Sequence, residues 1–210
     1  MSTNHFDQAA ATWDENPHRR ELTAAIARAI ATTVPLEDSA SMLDFGCGTG
    51  TLSVLLSPLL GRIDAVDPSE GMIQQLRNKL QTDAGLDGQI RPMQLVGGVE
   101  QLQAGWWDLI CSAMVMHHID NAEATLLTLA GRLSPGGWLA VADLVAEDGS
   151  FHADQVVPHH GFDPELLVGL LAEAGMKNVS ARIVHEIVKP GGEGLPRAYP
   201  VFLITGQKSQ

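Results

Sequence analysis

Short apolar runs and helix-period patterns take turns along this chain. Leu22, Ile26 and Ile30 recur at four-residue spacing and predict a helix over residues 19–33, with Pro35 just beyond its end. Residues 42–45 read as a strand, and a glycine turn separates them from a helix over 51–60. A second strand over 62–66 leads to a helix that Ser69 can cap and whose inner face carries Met72, Ile73, Leu76 and Leu80. Pro92 lies within the third strand, 90–96, and places it at a sheet edge, because proline cannot donate to a ladder. A fourth strand over 107–113 precedes a helix capped by Asp120 or Asn121. The turn Ser134-Pro135-Gly136-Gly137 then leads into a fifth strand over 138–144. The pattern breaks over 145–162 and resumes with Asp163-Pro164, a cap followed by proline at the first helical position. Strands over 179–188 and 198–205 close the chain.

This order predicts an α/β fold: a Rossmann-like three-layer sandwich with a seven-stranded, mostly parallel sheet and helices on both faces. The last two strands have no helix between them and predict a hairpin, hence an antiparallel edge strand. Ligands in such sheets bind outside the carboxyl ends of the strands, where strand order reverses.

The length of 210 residues suits one domain over 1–210. No apolar run reaches the roughly 18 residues of a membrane helix, and the polar N-terminus carries both signs of charge, unlike a secretory signal. Thirteen basic residues against 25 acidic ones give a net charge of −12. Such a surface repels phosphate backbones, so no nucleic-acid partner and no membrane partner is expected. Cys47 and Cys111 sit far apart in apolar, strand-like segments, which fits a reducing, cytoplasmic setting better than a disulfide framework.

The glycine turn carries the first chemistry. Gly46, Gly48 and Gly50 let the backbone turn sharply and press against a ligand. Twenty-one residues after Gly46, the second strand ends in Asp67, whose carboxylate can accept both hydroxyls of a ribose. A P-loop would need lysine and Ser/Thr after its glycines, and Thr51-Leu52-Ser53 stands there instead. A dinucleotide fingerprint would need glycine at position 51, which is threonine.

Asp44-Phe45-Gly46-Cys47-Gly48-Thr49-Gly50 closely resembles the glycine motif of class I S-adenosylmethionine-dependent methyltransferases. Val66-Asp67-Pro68-Ser69-Glu70-Gly71-Met72 resembles that family's ribose motif. Gly97-Gly98-Val99-Glu100-Gln101-Leu102 resembles its adenine-edge motif, with Gly98 where the family usually has an acidic residue, so that adenine recognition shifts to the backbone near Val99. Residues 108–118, including Ser112 and Ala113, resemble the fourth strand and its loop, and Leu133-Ser134-Pro135-Gly136-Gly137 resembles the turn before the fifth. The resemblance implies S-adenosyl-L-methionine as donor and S-adenosyl-L-homocysteine as product. By the same resemblance Asp44 takes the donor's ammonium, Gly46, Cys47, Gly48 and Gly50 its backbone cradle, and Asp67, Pro68 and Ser69 the ribose side. Met72, Gly98, Val99 and Glu100 fall to the adenine, and Ser112 and Ala113 to the methionine end.

Methyl transfer from a sulfonium needs alignment and exclusion of water, and a base only where the acceptor loses a proton. His117 and His118 follow the fourth strand at the expected mouth and are the catalytic candidates. His152, His159 and His160, with His5 and His18, are candidates for lining an acceptor pocket. No histidine pair has the four-residue helical spacing of a structural metal motif, so no metal is expected. Phe6 and Trp13 resemble the aromatic positions of an N-terminal segment that folds over the donor in small-molecule members of the family. Residues 1–20 are thus a candidate lid and 145–162 a candidate insert. The expected activity is methyl transfer to a small-molecule acceptor. The alternatives are a non-catalytic binder of the donor and its product that acts as a regulator, and a nicotinamide oxidoreductase, which the threonine at 51 disfavours.

Overall fold

In the computed structural model, which describes residues 4–83, 85–86, 88–102, 106–152, 155–190 and 195–210, strands and helices follow one another from Ser41 to Glu173, with only a 3₁₀ turn between the third and fourth strands, and a hairpin closes the chain. Ahead of them lie α1 (Asn4–Ala9), a 3₁₀ turn (Ala10–Glu15) and α2 (Pro17–Thr33). Then follow β1 (Ser41–Phe45), α3 (Thr51–Leu56), β2 (Arg62–Asp67), α4 (Glu70–Thr82), β3 (Ile90–Gln94), β4 (Trp107–Ala113), α5 (Ala122–Gly131), β5 (Leu133–Leu144), α6 (Pro164–Glu173), β6 (Lys177–Pro190) and β7 (Pro196–Gln207).

The seven strands form one sheet in the order β3-β2-β1-β4-β5-β7-β6. β1 to β5 are parallel, while β7 runs antiparallel to both β5 and β6. The antiparallel hairpin therefore stands at the expected edge, with β6 outermost. β3 holds the other edge, and Pro92 sits on it opposite Ala65. Strand order reverses at β1, which has β2 on one side and β4 on the other. The crevice beyond the carboxyl ends of β1 and β4 is thus where a ligand site belongs.

Successive residues of each strand point to opposite faces, and both faces are apolar. Met42, Ile63 and Leu109 pack with Ile26, Ile30, Leu56, Ile73 and Leu76 from α2, α3 and α4. Leu43, Val66, Ile110, Leu139 and Phe202 pack on the other side with Leu126, Leu129, Leu167 and Leu171 from α5 and α6.

Several boundaries differ from the sequence reading. α2 starts at Pro17 because the Asn16 side chain accepts the His18 N–H at 3.0 Å, an N-cap followed by proline. The helix expected over 51–60 is α only to Leu56, then tightens into a 3₁₀ turn over Ser57–Leu59 that contains Pro58. β5 begins at Leu133, not 138. Trp107 pairs with Leu133 and Leu109 with Trp138, so the Pro-Gly-Gly segment is an outward bulge inside one strand. Residues 1–3 of the candidate lid and 153–154 of the candidate insert lie outside the described residues. No described helix is long and apolar enough to cross a membrane.

Candidate active site

β1 delivers the glycine turn to the crevice. The Gly46 and Cys47 N–H groups both donate to Val66 O, at 2.8 and 3.0 Å, which stitches the turn to β2. Asp67, the last residue of β2, completes the seam: one carboxylate oxygen accepts the Gly48 N–H at 2.9 Å and the other the Ser69 N–H at 2.8 Å. Each oxygen keeps a lone pair for a further donor. Two glycines serve different ends. Gly46 has φ +76°, and a Cβ there would lie 2.4 Å from Val115 Cγ2, so the turn and the loop after β4 touch without a side chain between them. Gly48 has φ +54°, and its Cβ direction meets nothing within 4 Å, because it faces the cavity.

Asp44 lies buried beneath the turn, where its carboxylate accepts the Ser53 hydroxyl at 2.6 Å. Burial, reinforced by the charge of Asp67, pushes its pKa up to about 6 against the pull of the Ser53 bond. Asp67 is also raised, chiefly by burial, against the bonds from Ser69 and Gly48. Among the described residues neither carboxylate has an ion-pair partner. Two buried acidic groups on one cavity, uncompensated by a nearby cation, fit a ligand that brings positive charge, as a sulfonium amino acid does.

The cavity has a volume of about 1060 Å³. It is lined by Asp44, Gly46, Gly48, Asp67, Pro68 and Met72, by Gly98, Val99 and Glu100, and by Ala113, Val115, His117 and His118. Phe6 and Trp13 also face it, as do His5 and His18. The N-terminal segment is fastened over the crevice by two carboxylates. Asp7 accepts the Ser69 hydroxyl at 2.5 Å and the Gly71 N–H at 2.9 Å, at the start of α4. Asp14 accepts the hydroxyls of Thr49 and Thr51, at 2.8 and 3.1 Å, and pairs with Lys79 at 2.7 Å. Although burial opposes it, these bonds hold the Asp14 carboxyl below its ordinary value. Phe6 then stands edge-on to His118, with ring centroids 5.3 Å apart.

His117 is buried, and its Nδ1 lies 2.6 Å from Asp143 Oδ1, while its own N–H donates to Asp143 Oδ2 at 3.2 Å. An ionised Asp143 accepts only, so Nδ1 carries the proton and Nε2 keeps its lone pair. The His118 ring lies 4.1 Å from that of His117. His152, carried by the insert, lies 4.9 Å from His117 and 5.4 Å from His118. Burial first, then the neighbouring histidines, push His118 down to about 3 and His152 to about 4, so both are neutral at pH 7. The Nδ1 of His152 is buried with no hydrogen-bond partner among the described residues.

Of the residues singled out in the sequence, Gly50, Ser69 and Ser112 do not line the cavity; they brace it from behind. Gly50 caps α3, Ser69 caps α4 by accepting the Met72 N–H at 3.1 Å, and the Ser112 hydroxyl ties β4 to β1 through Phe45 O at 2.8 Å. Cys47 lines the wall with a thiol that burial keeps protonated. His159 and His160 are absent from the lining. His159 Nε2 donates to Ile119 O at 3.0 Å, and His160 lies 3.8 Å from Glu147. The sequence reading gave no role of their own to Asp143, Asp7, Asp14 and Lys79, whose partners lie 26 to 65 positions away.

Comparison with known proteins agrees with this geometry. A family model described as a methyltransferase domain matches residues 18–181. An uncharacterised methyltransferase of Schizosaccharomyces pombe is 29% identical over 152 residues, covering 66% of this chain and 54% of that protein. A trans-aconitate 2-methyltransferase of Azoarcus is 31% identical over 135 residues, covering 62% of this chain and 50% of its own. The chain thus spans about half the length of these relatives. Among solved structures, magnesium protoporphyrin IX methyltransferase from Synechocystis with bound S-adenosylhomocysteine superposes with a TM-score of 0.67 at 16% identity, over 91% of this chain and 84% of that one.

Proposed function

Since the chain belongs to the class I S-adenosylmethionine-dependent methyltransferase family, we propose that it moves the donor's methyl group onto a small-molecule acceptor held in the same cavity. The donor, when bound, supplies a methyl on a sulfonium, and its loss leaves a neutral thioether that needs no proton. The chain's own residues do the rest. Asp67 takes the ribose hydroxyls on its free lone pairs, and Asp44 takes the ammonium. The backbone of Gly46, Cys47 and Gly48 cradles the donor between them. Pro68 and Met72, with Gly98, Val99 and Glu100, flank the base, and Ala113 borders the methionine end. His117, held in one tautomer by Asp143, presents Nε2 as a proton acceptor for an acceptor hydroxyl, with His118 beside it. Phe6 and Trp13 keep water out.

The observation that carries this reading is the single cavity of about 1060 Å³ running from Asp67 to the histidines beneath a fastened N-terminal segment. Small-molecule pockets span roughly 300–1,000 Å³, so this one has room for a nucleoside donor and a second small molecule. The acidic net charge points the same way. We read residues 1–210 as one domain, with 1–20 as its lid and 145–162 as its insert. The test is calorimetry with S-adenosylhomocysteine, followed by radiolabelled methyl transfer into a panel of hydroxylated and carboxylated metabolites, trans-aconitate among them. Binding and transfer into a small molecule are expected. Binding with no transfer to any acceptor would turn the protein into a donor-sensing regulator, and no binding would overturn the reading altogether.

A further inference from the structure

His117, His118 and His152 each offer a ring nitrogen, and the three atoms lie within 4.8 Å of one another on the cavity wall. Three features set the group apart from chance proximity. First, His117 has the outer partner that a metal-bound imidazole needs: Asp143, wholly buried, accepts from Nδ1 at 2.6 Å and so turns Nε2 outward as a lone pair. Second, His152 keeps a buried Nδ1 with no hydrogen-bond partner among the described residues, and a buried polar nitrogen is costly unless something satisfies it. Third, two of the rings are held in place by aromatic neighbours: His118 packs T-shaped against Phe6 and His152 against Phe151, with centroids 5.3 and 4.7 Å apart.

We propose that these three histidines form a site for one divalent transition-metal ion, zinc by ligand chemistry, whose open coordination position faces the acceptor. Three imidazoles with one open position are a zinc arrangement of the catalytic kind rather than a closed structural one. Zinc–nitrogen bonds of about 2.0–2.1 Å in tetrahedral geometry put ligand nitrogens roughly 3.4 Å apart, so the rings close by at most about 1.4 Å, a matter of side-chain rotation. Charge enters on both sides. Asp143 stands directly behind His117, while the Lys189 ammonium, engaged by Phe151 O at 2.8 Å, opposes a cation near His152.

Binding of the ion is independent of the methyltransferase reading; only the use of its open position rests on it. With the ion in place His117 is a ligand and no longer a base. When bound, the ion, held by His117, His118 and His152, would act as a Lewis acid and make a coordinated hydroxyl more acidic.

The experiment uses the untagged full chain, stripped with a chelator and titrated with Zn²⁺ against a chromophoric competitor, with no donor or acceptor present. One equivalent is expected, and Co²⁺ in its place should give the visible bands of a tetrahedral nitrogen site. His152→Ala and His118→Ala should each weaken binding at least tenfold, and Asp143→Asn by about 10–100-fold. His160→Ala, on the same insert but turned away, should leave binding unchanged. Thermal melts of His152→Ala check that the loss is not unfolding, because that side chain is only half-buried and on a loop. Substoichiometric zinc, or wild-type affinity in His152→Ala, overturns the site. S-adenosylhomocysteine binding, measured separately, reports whether the methyltransferase reading stands on its own.

Discussion

Replacing Asp44 with asparagine separates what this carboxylate does for the donor from what it costs the fold. Its pKa near 6, raised by burial and by Asp67, compares with an ordinary value of 3.8. The folded state therefore holds a proton more tightly than the unfolded chain, and stability falls as pH rises from about 4 to 6. Above pH 6 the accumulated cost is constant at about 3 kcal/mol, from roughly two pKa units at 1.36 kcal/mol each. Asparagine keeps the shape and still accepts the Ser53 hydroxyl, but does not titrate. Asp44→Asn should thus gain on the wild type as pH rises, by about 1–2 kcal/mol between pH 5 and pH 8. Urea unfolding at both values reads this difference directly. The same variant should lose at least tenfold in S-adenosylhomocysteine affinity at pH 8, since a neutral amide does not pair with the ammonium. In the wild type, that affinity should fall as pH drops below 6. A pH-independent stability difference would refute the raised pKa, and unchanged affinity would refute the ammonium contact.

Gly46→Ala and Gly48→Ala should fail in opposite ways. The first places a methyl against Val115 at positive φ and costs about 2–4 kcal/mol of stability by strain and overpacking; the second fits sterically, costs about 1 kcal/mol at positive φ, and instead blocks donor binding in calorimetry. Asp67→Ala leaves the Gly48 and Ser69 N–H groups without their acceptor, so a stability loss of about 1–3 kcal/mol should accompany a tenfold or greater drop in donor affinity. Asp7→Ala removes the acceptor at the start of α4, and limited proteolysis should then cut the N-terminal segment faster while the core resists, with about 0.5–2 kcal/mol lost in melts.

Much of this architecture is written in local signals. Period-2 and period-3.6 patterns placed β1 to β4, α4 and α6, and cap chemistry located Ser69 and Asp163 to the residue, because these depend on neighbours a few positions away. Glycine-turn residues and Asp67 were legible for the same reason: their spacing is set by one βαβ unit. The remainder depends on contacts between distant segments. Asp143 is buried in β5 and reads as an ordinary strand residue until the chain brings it to His117. His152 gave no metal spacing because its partners lie 34 and 35 positions earlier and arrive by way of an insert with no periodicity. Asp7 and Asp14 stand beside the aromatic positions of the N-terminal segment, and only the docking of that segment on α4 and the glycine turn gives them a task.

The insert after β5 is pinched at its base. Val145 bridges Phe162, the Ala146 N–H donates to Phe162 O at 2.9 Å, the Phe162 N–H to Leu144 O at 2.9 Å, and the Glu147 N–H to His160 O at 2.8 Å. Gly161 makes this neck narrow, since a Cβ there would stand 2.5 Å from Val145 O. A loop tied at its stem can change length cheaply, each doubling costing only about 0.6 kcal/mol in closure entropy. Between the two clasped ends the segment gains further anchors on β6 and β7, through Phe151 O to Lys189, Ser150 to Tyr199 and Asp148 to Arg197, so a change of length there would be absorbed above the neck without parting β5 from α6.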